Sequence, residues 1–142
     1  MLQIREAKRK KLIQKLFRNL AIITLGVKYQ EVKLKFKYDD SDLSNRFWFR
    51  KKLVEFSPKS VNYRIKDGYN DGYYNGRKEK LDKIIHNNKK NCIRFIMLHE
   101  IYHYKQFYFD KKTVSYPKQK RELEADNYAI TTLKKEGIKN VR

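Results

Sequence analysis

Apolar side chains recur with helical spacing near the start of the chain. Ile13, Leu16, Phe17 and Leu20 form one stripe, and Gly26 stands where such a helix would end, which predicts a helix over residues 2–25. The pattern then changes to period two. Val32-Lys33-Leu34-Lys35-Phe36-Lys37-Tyr38 alternates apolar residues with lysines and predicts a strand with one lysine face. Phe47-Trp48-Phe49 and Leu53-Val54-Glu55-Phe56 predict two more strands, separated by Arg50-Lys51-Lys52. Val61-Asn62-Tyr63-Arg64-Ile65 alternates again and predicts a further strand. Asp67 to Gly76 holds three of the five glycines and reads as a turn region, with Asn75-Gly76 suited to a tight hairpin. Lys80 to Ile85 predicts a last strand.

Helical periodicity returns after residue 88. Asn88 or Asn91 can cap a helix in which Cys92, Ile93, Phe95 to Leu98, Ile101, Tyr104 and Phe107 cover most of the circumference. A helix apolar on nearly all sides is a buried one. A second helix is predicted from Tyr116-Pro117, with Pro at the first helical position, Leu123, Ala125, Ala129, Ile130 and Leu133 at helical spacing, and Lys134 and Lys135 at the negative end of the dipole. Gly137 can close it. No repeat or linker divides the chain, so one domain is expected over residues 1–142: a basic helix at 1–26, a sheet region at 27–86 and a helix pair at 88–137. The order of helix, strands and two helices predicts an α+β fold with a small, mostly antiparallel sheet.

Charge changes this picture. The 142 residues carry a formal net charge of +19, and Arg5, Lys8, Arg9, Lys10, Lys11, Lys15 and Arg18 cover much of the first helix. A nucleic acid or another polyanion is the partner such a charge suggests. Enrichment in Lys, Asn, Ile and Tyr, all read from AT-rich codons, supplies a compositional source for the same charge. The single cysteine excludes an intramolecular disulfide and suits a reducing compartment, so a cytoplasmic location is expected. The apolar run from Leu20 to Val27 is too short for a membrane span. Arg18 and Asn19 interrupt it and no small-residue cleavage site follows, so neither a signal peptide nor a membrane partner is expected.

The candidate chemistry lies in His99-Glu100-Ile101-Tyr102-His103, an HExxH pattern that uses two of the three histidines. Residues four apart share a helix face, so His99 and His103 can converge on one Zn²⁺ with bonds of about 2.0–2.1 Å. Glu100 then stands beside the metal as general base. A catalytic zinc usually takes a third protein ligand. Counting back from the loop between the two helices, His103 and Glu122 each lie roughly 8–9 Å from it. An antiparallel hairpin brings them level, with Ala125 and Ala129 permitting close approach. Asp126, one turn beyond Glu122, can accept a hydrogen bond from the other nitrogen of His99. Glu124 is the competing ligand but lies about 200° around the helix from Glu122. Cys92 is two turns before His99, roughly 10 Å away, and reads as a small buried hydrophobe.

With HExxH followed by Glu122-Leu123-Glu124-Ala125-Asp126-Asn127-Tyr128-Ala129, residues 80–135 resemble the gluzincin metallopeptidases, above all the small minigluzincin kind. The second motif is similar to that of CAAX-processing and heat-shock membrane proteases and of the ImmA/IrrE regulatory peptidases, which often have Asn where this chain has Asp126. The resemblance implies a zincin-like fold and zinc held by His99, His103 and Glu122, with Glu100 as general base. Substrate peptide is then expected along Lys80–Ile85, and a tyrosine of 69–74 is a candidate oxyanion stabiliser. Tyr102 replaces the usual Gly before the second motif histidine, and His86 lies upstream, unlike the third histidine of SprT-type proteases. The expectation is a zinc metallopeptidase acting on nucleic-acid-associated proteins or on one regulatory partner. The alternative is a noncatalytic basic protein that binds nucleic acid or joins an assembly.

Overall fold

A computed structural model describes residues 2–39, 45–67, 88–111 and 117–135. Among these the fold is α+β, with four α-helices and one three-stranded sheet. Helix α1 spans Leu2–Leu25 and ends at Gly26, whose φ of +69° is a conformation that a Cβ would strain. Its inner face is Ile13, Phe17, Leu20, Ala21 and Leu25, all buried. Leu16, placed in the stripe by periodicity, is only partly buried, and Thr24 takes a buried place instead.

Strands β1 (Lys35–Tyr38), β2 (Arg46–Trp48) and β3 (Leu53–Phe56) follow. The sheet order is β1-β3-β2. A tight turn at residues 49–52 makes β2 and β3 antiparallel, with Phe47 opposite Val54. β3 then lies between β2 and β1 and runs parallel to β1, with Phe36 opposite Val54 and Tyr38 opposite Phe56. The sheet is therefore mixed, not mostly antiparallel. The reason is that the returning hairpin strand inserts beside β1 instead of extending outward. β1 is also shorter than the alternating run: Val32 and Leu34 are buried but precede the ladder. Lys35 and Lys37 do face solvent, and Phe36 stacks between Phe17 and Phe56 at 4.5 and 6.3 Å.

Residues 61–65 are not a strand. They belong to helix α2, Pro58–Asp67. Ser57-Pro58 explains the difference, with a capping side chain followed by a proline at the first helical position. Ser57 Oγ accepts from the Ser60 amide at 3.3 Å, and Asn45 ties the corner by accepting from the Ser57 amide at 2.7 Å and donating to Ser60 Oγ at 2.7 Å. These local hydrogen bonds outweigh the period-two pattern, and Val61 reaches the core from a helix. The expected turn at 68–76 and strand at 80–85 lie outside the described residues.

Helix α3, Lys89–Tyr104, occupies the centre and packs against α1, α2, α4, β2 and β3. Asn88 caps it, accepting from the Asn91 amide at 3.0 Å. Cys92, Phe95, Ile96, Met97, Leu98 and Ile101 are all buried, as a helix apolar on every side requires. Residues Lys105–Phe109 continue as a π turn, closed by the Asp110 amide donating to the Lys105 carbonyl at 2.8 Å. Helix α4, Lys118–Lys135, returns alongside α3. Pro117 sits just before its first residue, and its carbonyl accepts from the Arg121 amide at 3.0 Å. Ala125 and Ala129 are fully buried in this hairpin, Tyr102 stacks on Tyr128 at 4.6 Å, and the Tyr128 hydroxyl donates to Thr24 Oγ1 of α1 at 3.0 Å. Among the described residues no helix is long and apolar enough to cross a membrane.

Candidate metal centre

The hairpin of α3 and α4 brings four of the sequence-selected side chains together. His99 Nε2 lies 2.7 Å from Glu122 Oε2, His103 Nε2 lies 3.2 Å from the same oxygen, and the two Nε2 atoms are 3.1 Å apart. A triangle this small has a point about 2.0–2.1 Å from each corner, the length of a zinc bond to imidazole nitrogen or carboxylate oxygen. Glu100 is buried beside it: ligand atoms of His99, Glu100 and His103 all fall within 4.8 Å of one another. Two carboxylates thus flank the imidazoles. Glu122 Oε2 lies within 3.2 Å of both Nε2 atoms, which suits it as third ligand, and Glu100 stands next to the triangle.

The outer ring nitrogens fix how the imidazoles present themselves. His99 Nδ1 lies 2.8 Å from Asp126 Oδ1, an ion-pair distance without the line-up of a good hydrogen bond. Asp126 is fully buried, and one turn of α4 separates it from Glu122. His103 Nδ1 lies 2.8 Å from Gln106 Oε1. The orientation of Gln106 follows from its own partners: its Nε2 donates to the Arg121 carbonyl at 3.1 Å and to Glu124 Oε1 at 3.2 Å. Its Oε1 can only accept, so the proton of neutral His103 belongs on Nδ1. A carboxylate facing His99 Nδ1 places that ring's proton in the same way. Both Nε2 atoms therefore direct lone pairs at a point that a carboxylate oxygen also faces. Three electron-pair donors facing one buried point form a set that can hold a cation between them.

Electrostatics agree. Burial alone would depress the pKa of His99, but the carboxylates of Asp126, Glu122 and Glu100 overcome it and lift the value from 6.5 to about 10. Burial would raise the Glu122 pKa, and contact with His103 and His99 instead holds it well below its ordinary 4.5. In the metal-free protein a proton on His99 takes the part of the cation. The donor set of two imidazoles and a carboxylate fits zinc.

Periodicity and motif spacing pointed to His99, Glu100, His103, Glu122 and Asp126, but not to Gln106. The available signal was its position three residues after His103, which puts the two on one helix face. Glu124, the competing ligand, is occupied by Gln106. Gln106→Leu is expected to keep the stoichiometry of metal while weakening affinity by about 10–100-fold, as loss of a ligand's supporting hydrogen bond does. Competition with a chelator of known affinity measures it, and unchanged affinity would remove Gln106 from the centre.

A cleft of about 430 Å³ opens onto Glu100, His103 and Glu122. Asn45, Arg46, Phe47 and Phe49 line it from the β2 side, Phe107 from the π turn, and Lys118 and Arg121 from the start of α4. Phe107 stacks on Phe47 and meets Phe49 at a tilt, and the Tyr108 hydroxyl donates to the Phe49 carbonyl at 2.6 Å, so the π turn braces this wall. Comparison with protein-family models, with curated proteins and with solved structures finds no match to this chain.

Proposed function

We propose that this chain is a zinc-dependent metallopeptidase of gluzincin-like, zincin-like form. The observation that carries the reading is the convergence of His99 Nε2, His103 Nε2 and Glu122 Oε2 on one point with Glu100 alongside. His99, His103 and Glu122 would hold the ion, and Asp126 and Gln106 would orient the two rings. When bound, zinc supplies a Lewis acid that polarises a peptide carbonyl and lowers the pKa of water toward 7. Glu100 takes the proton of the attacking water and delivers it to the departing amine.

The cleft supplies a place for substrate. Among the described residues β2 is an edge of the sheet and lines the cleft, so an extended peptide can add to it as a further strand. The strand at 80–85, where the sequence suggested this pairing, lies outside the described residues.

The first test is metal content. Purified protein should retain one zinc per chain, lost on chelation and regained on zinc addition, while His99→Ala and His103→Ala should bind none. A wild-type chain that takes up no divalent ion would end the proposal.

A second reading concerns the outer side of α1, where Arg5, Lys8, Arg9, Lys10, Lys11, Lys15 and Arg18 are all exposed. This basic face suits phosphates of a nucleic acid. It is compatible with peptidase action on nucleic-acid-associated proteins. It is also what would remain if the chain were a noncatalytic binding or assembly protein.

A further inference from the structure

We infer that a second pocket, built from other residues than the metal centre, binds a single-chain anionic amphiphile: one aliphatic tail with an anionic head group. The pocket encloses about 480 Å³ between the first half of α1, the start of α2 and the start of α3, and it shares no lining residue with the cleft. That volume falls within the usual span of small-molecule sites, about 300–1,000 Å³. Ile13, Phe56 and Val61, all buried, form its floor, and Leu12, Pro58 and Ile93 carry the apolar lining outward. Leu12 keeps 68 % of its surface exposed, so this wall is open to a ligand. An aliphatic tail laid against these side chains leaves water at little cost in polar contacts.

The rest of the lining is cationic: Arg5, Lys8 and Arg9 of α1, and Lys89 and Lys90 of α3, all exposed. Among the described residues no carboxylate forms an ion pair with any of the five. One face of α1 carries Lys8 and Arg9 and, a turn further on, Leu12 and Ile13. α3 repeats the order, with Lys89 and Lys90 one turn before Ile93. Lys89 and Lys90 also stand in the first turn of α3, where the positive end of the helix dipole favours acids. No acidic residue occupies that turn or the first turn of α2. Like charges and two helix N-termini therefore repel one another around an apolar floor, and an anion held between them relieves the repulsion. A nucleic acid would use the cations but not the floor, whose one aromatic ring, Phe56, is fully buried and offers no face for a base to stack on. An extended peptide would need acceptors for its N–H groups, and no lining side chain supplies one. A hydrocarbon tail with a charged end matches both halves of the pocket.

The test is calorimetric titration of the full chain with decanoate, decanol and butyrate. Decanoate should bind one per chain, at least tenfold more tightly than decanol at low salt, and the gap should shrink as salt rises. Butyrate, a head with almost no tail, should give no measurable binding. From hexanoate to decanoate the affinity should rise by up to about fourfold per methylene, the transfer value of one buried CH₂. Lys89→Gln/Lys90→Gln should weaken decanoate at least fivefold and leave decanol unchanged. Leu12→Glu, at an exposed position, should weaken both, and the helical circular dichroism of each variant should match the parent. Equal affinity for decanoate and decanol, indifference to tail length, no uptake of decanoate, or uptake unaltered in both variants would overturn the inference. So would a Glu/Leu peptide or an oligothymidylate that displaces decanoate and binds more tightly, because the pocket would then belong to that partner. None of these outcomes bears on the peptidase reading, since the titration needs neither zinc nor turnover.

Discussion

Glu100→Gln is expected to keep one zinc per chain, to leave the fold unchanged and to slow peptide hydrolysis by about 10²–10⁴-fold, the usual contribution of a general base. Gln has the same shape and volume but cannot take up a proton at neutral pH. The companion variant is Glu122→Gln. Its oxygen lies 2.7 and 3.2 Å from the two imidazole nitrogens, so the amide removes the anionic corner of the triangle and metal should be lost. The pair is decisive because His99, Glu100 and His103 also come within 4.8 Å of one another and make a rival ligand set. If Glu100→Gln loses the ion and Glu122→Gln keeps it, the two carboxylates have been assigned the wrong way round. Zinc analysis and a quenched peptide substrate measure both outcomes.

The second large effect is a divergence with pH between metal-free and zinc-loaded protein. The His99 pKa is raised in the folded chain, from 6.5 to about 10, by carboxylates that overcome its burial. Stability from that charge is complete below pH 6.5 and is lost as pH rises toward 10. The Glu122 pKa is depressed below 4.5, so its share is complete above pH 4.5 and is lost as pH falls further. Both shifts describe largely the same ion pair, which is counted once. Metal-free protein should therefore be most stable between pH 4.5 and 6.5. Zinc must displace the His99 proton, so its affinity should rise by about tenfold per pH unit over the range in which that proton is bound. Loaded protein should gain stability where the metal-free form loses it, by about 2.7 kcal/mol when free zinc is a hundred times the dissociation constant. Urea titrations at pH 6, 8 and 9.5, with free zinc fixed by a chelator buffer, measure the gap. Metal-free stability that stays level from pH 6.5 to 10 would show that His99 does not hold the charge.

The helices of this protein were more legible in the sequence than its sheet. The stripe of α1, the wholly apolar α3 and the return of α4 all come from long periodic segments, in which many residues repeat one message. The strands are three or four residues long, and their pairing depends on distant contacts. Nothing local told β3 to run parallel to β1. Val61 to Ile65 misled because alternation over five residues is weak beside the preceding Ser57-Pro58, which specifies a helix start through backbone chemistry. The centre was legible where its geometry is helical, since His99, His103, Glu122 and Asp126 are placed by turns of two neighbouring helices. Arg46, Phe47 and Phe49 reach the cleft through tertiary folding, and no spacing rule links them to residue 99.

Every candidate ligand and supporting group of the centre, from His99 to Asp126, lies on α3, on the π turn that continues it, or on α4. Bringing them together closes only a short loop, so its loop-closure entropy is small and its contacts are of low order. An ion can therefore clamp this hairpin before β2 and the cleft wall are assembled. Metal starvation would then lower the yield of folded chain during synthesis, and the loss would show as proteolytic turnover in addition to missing activity.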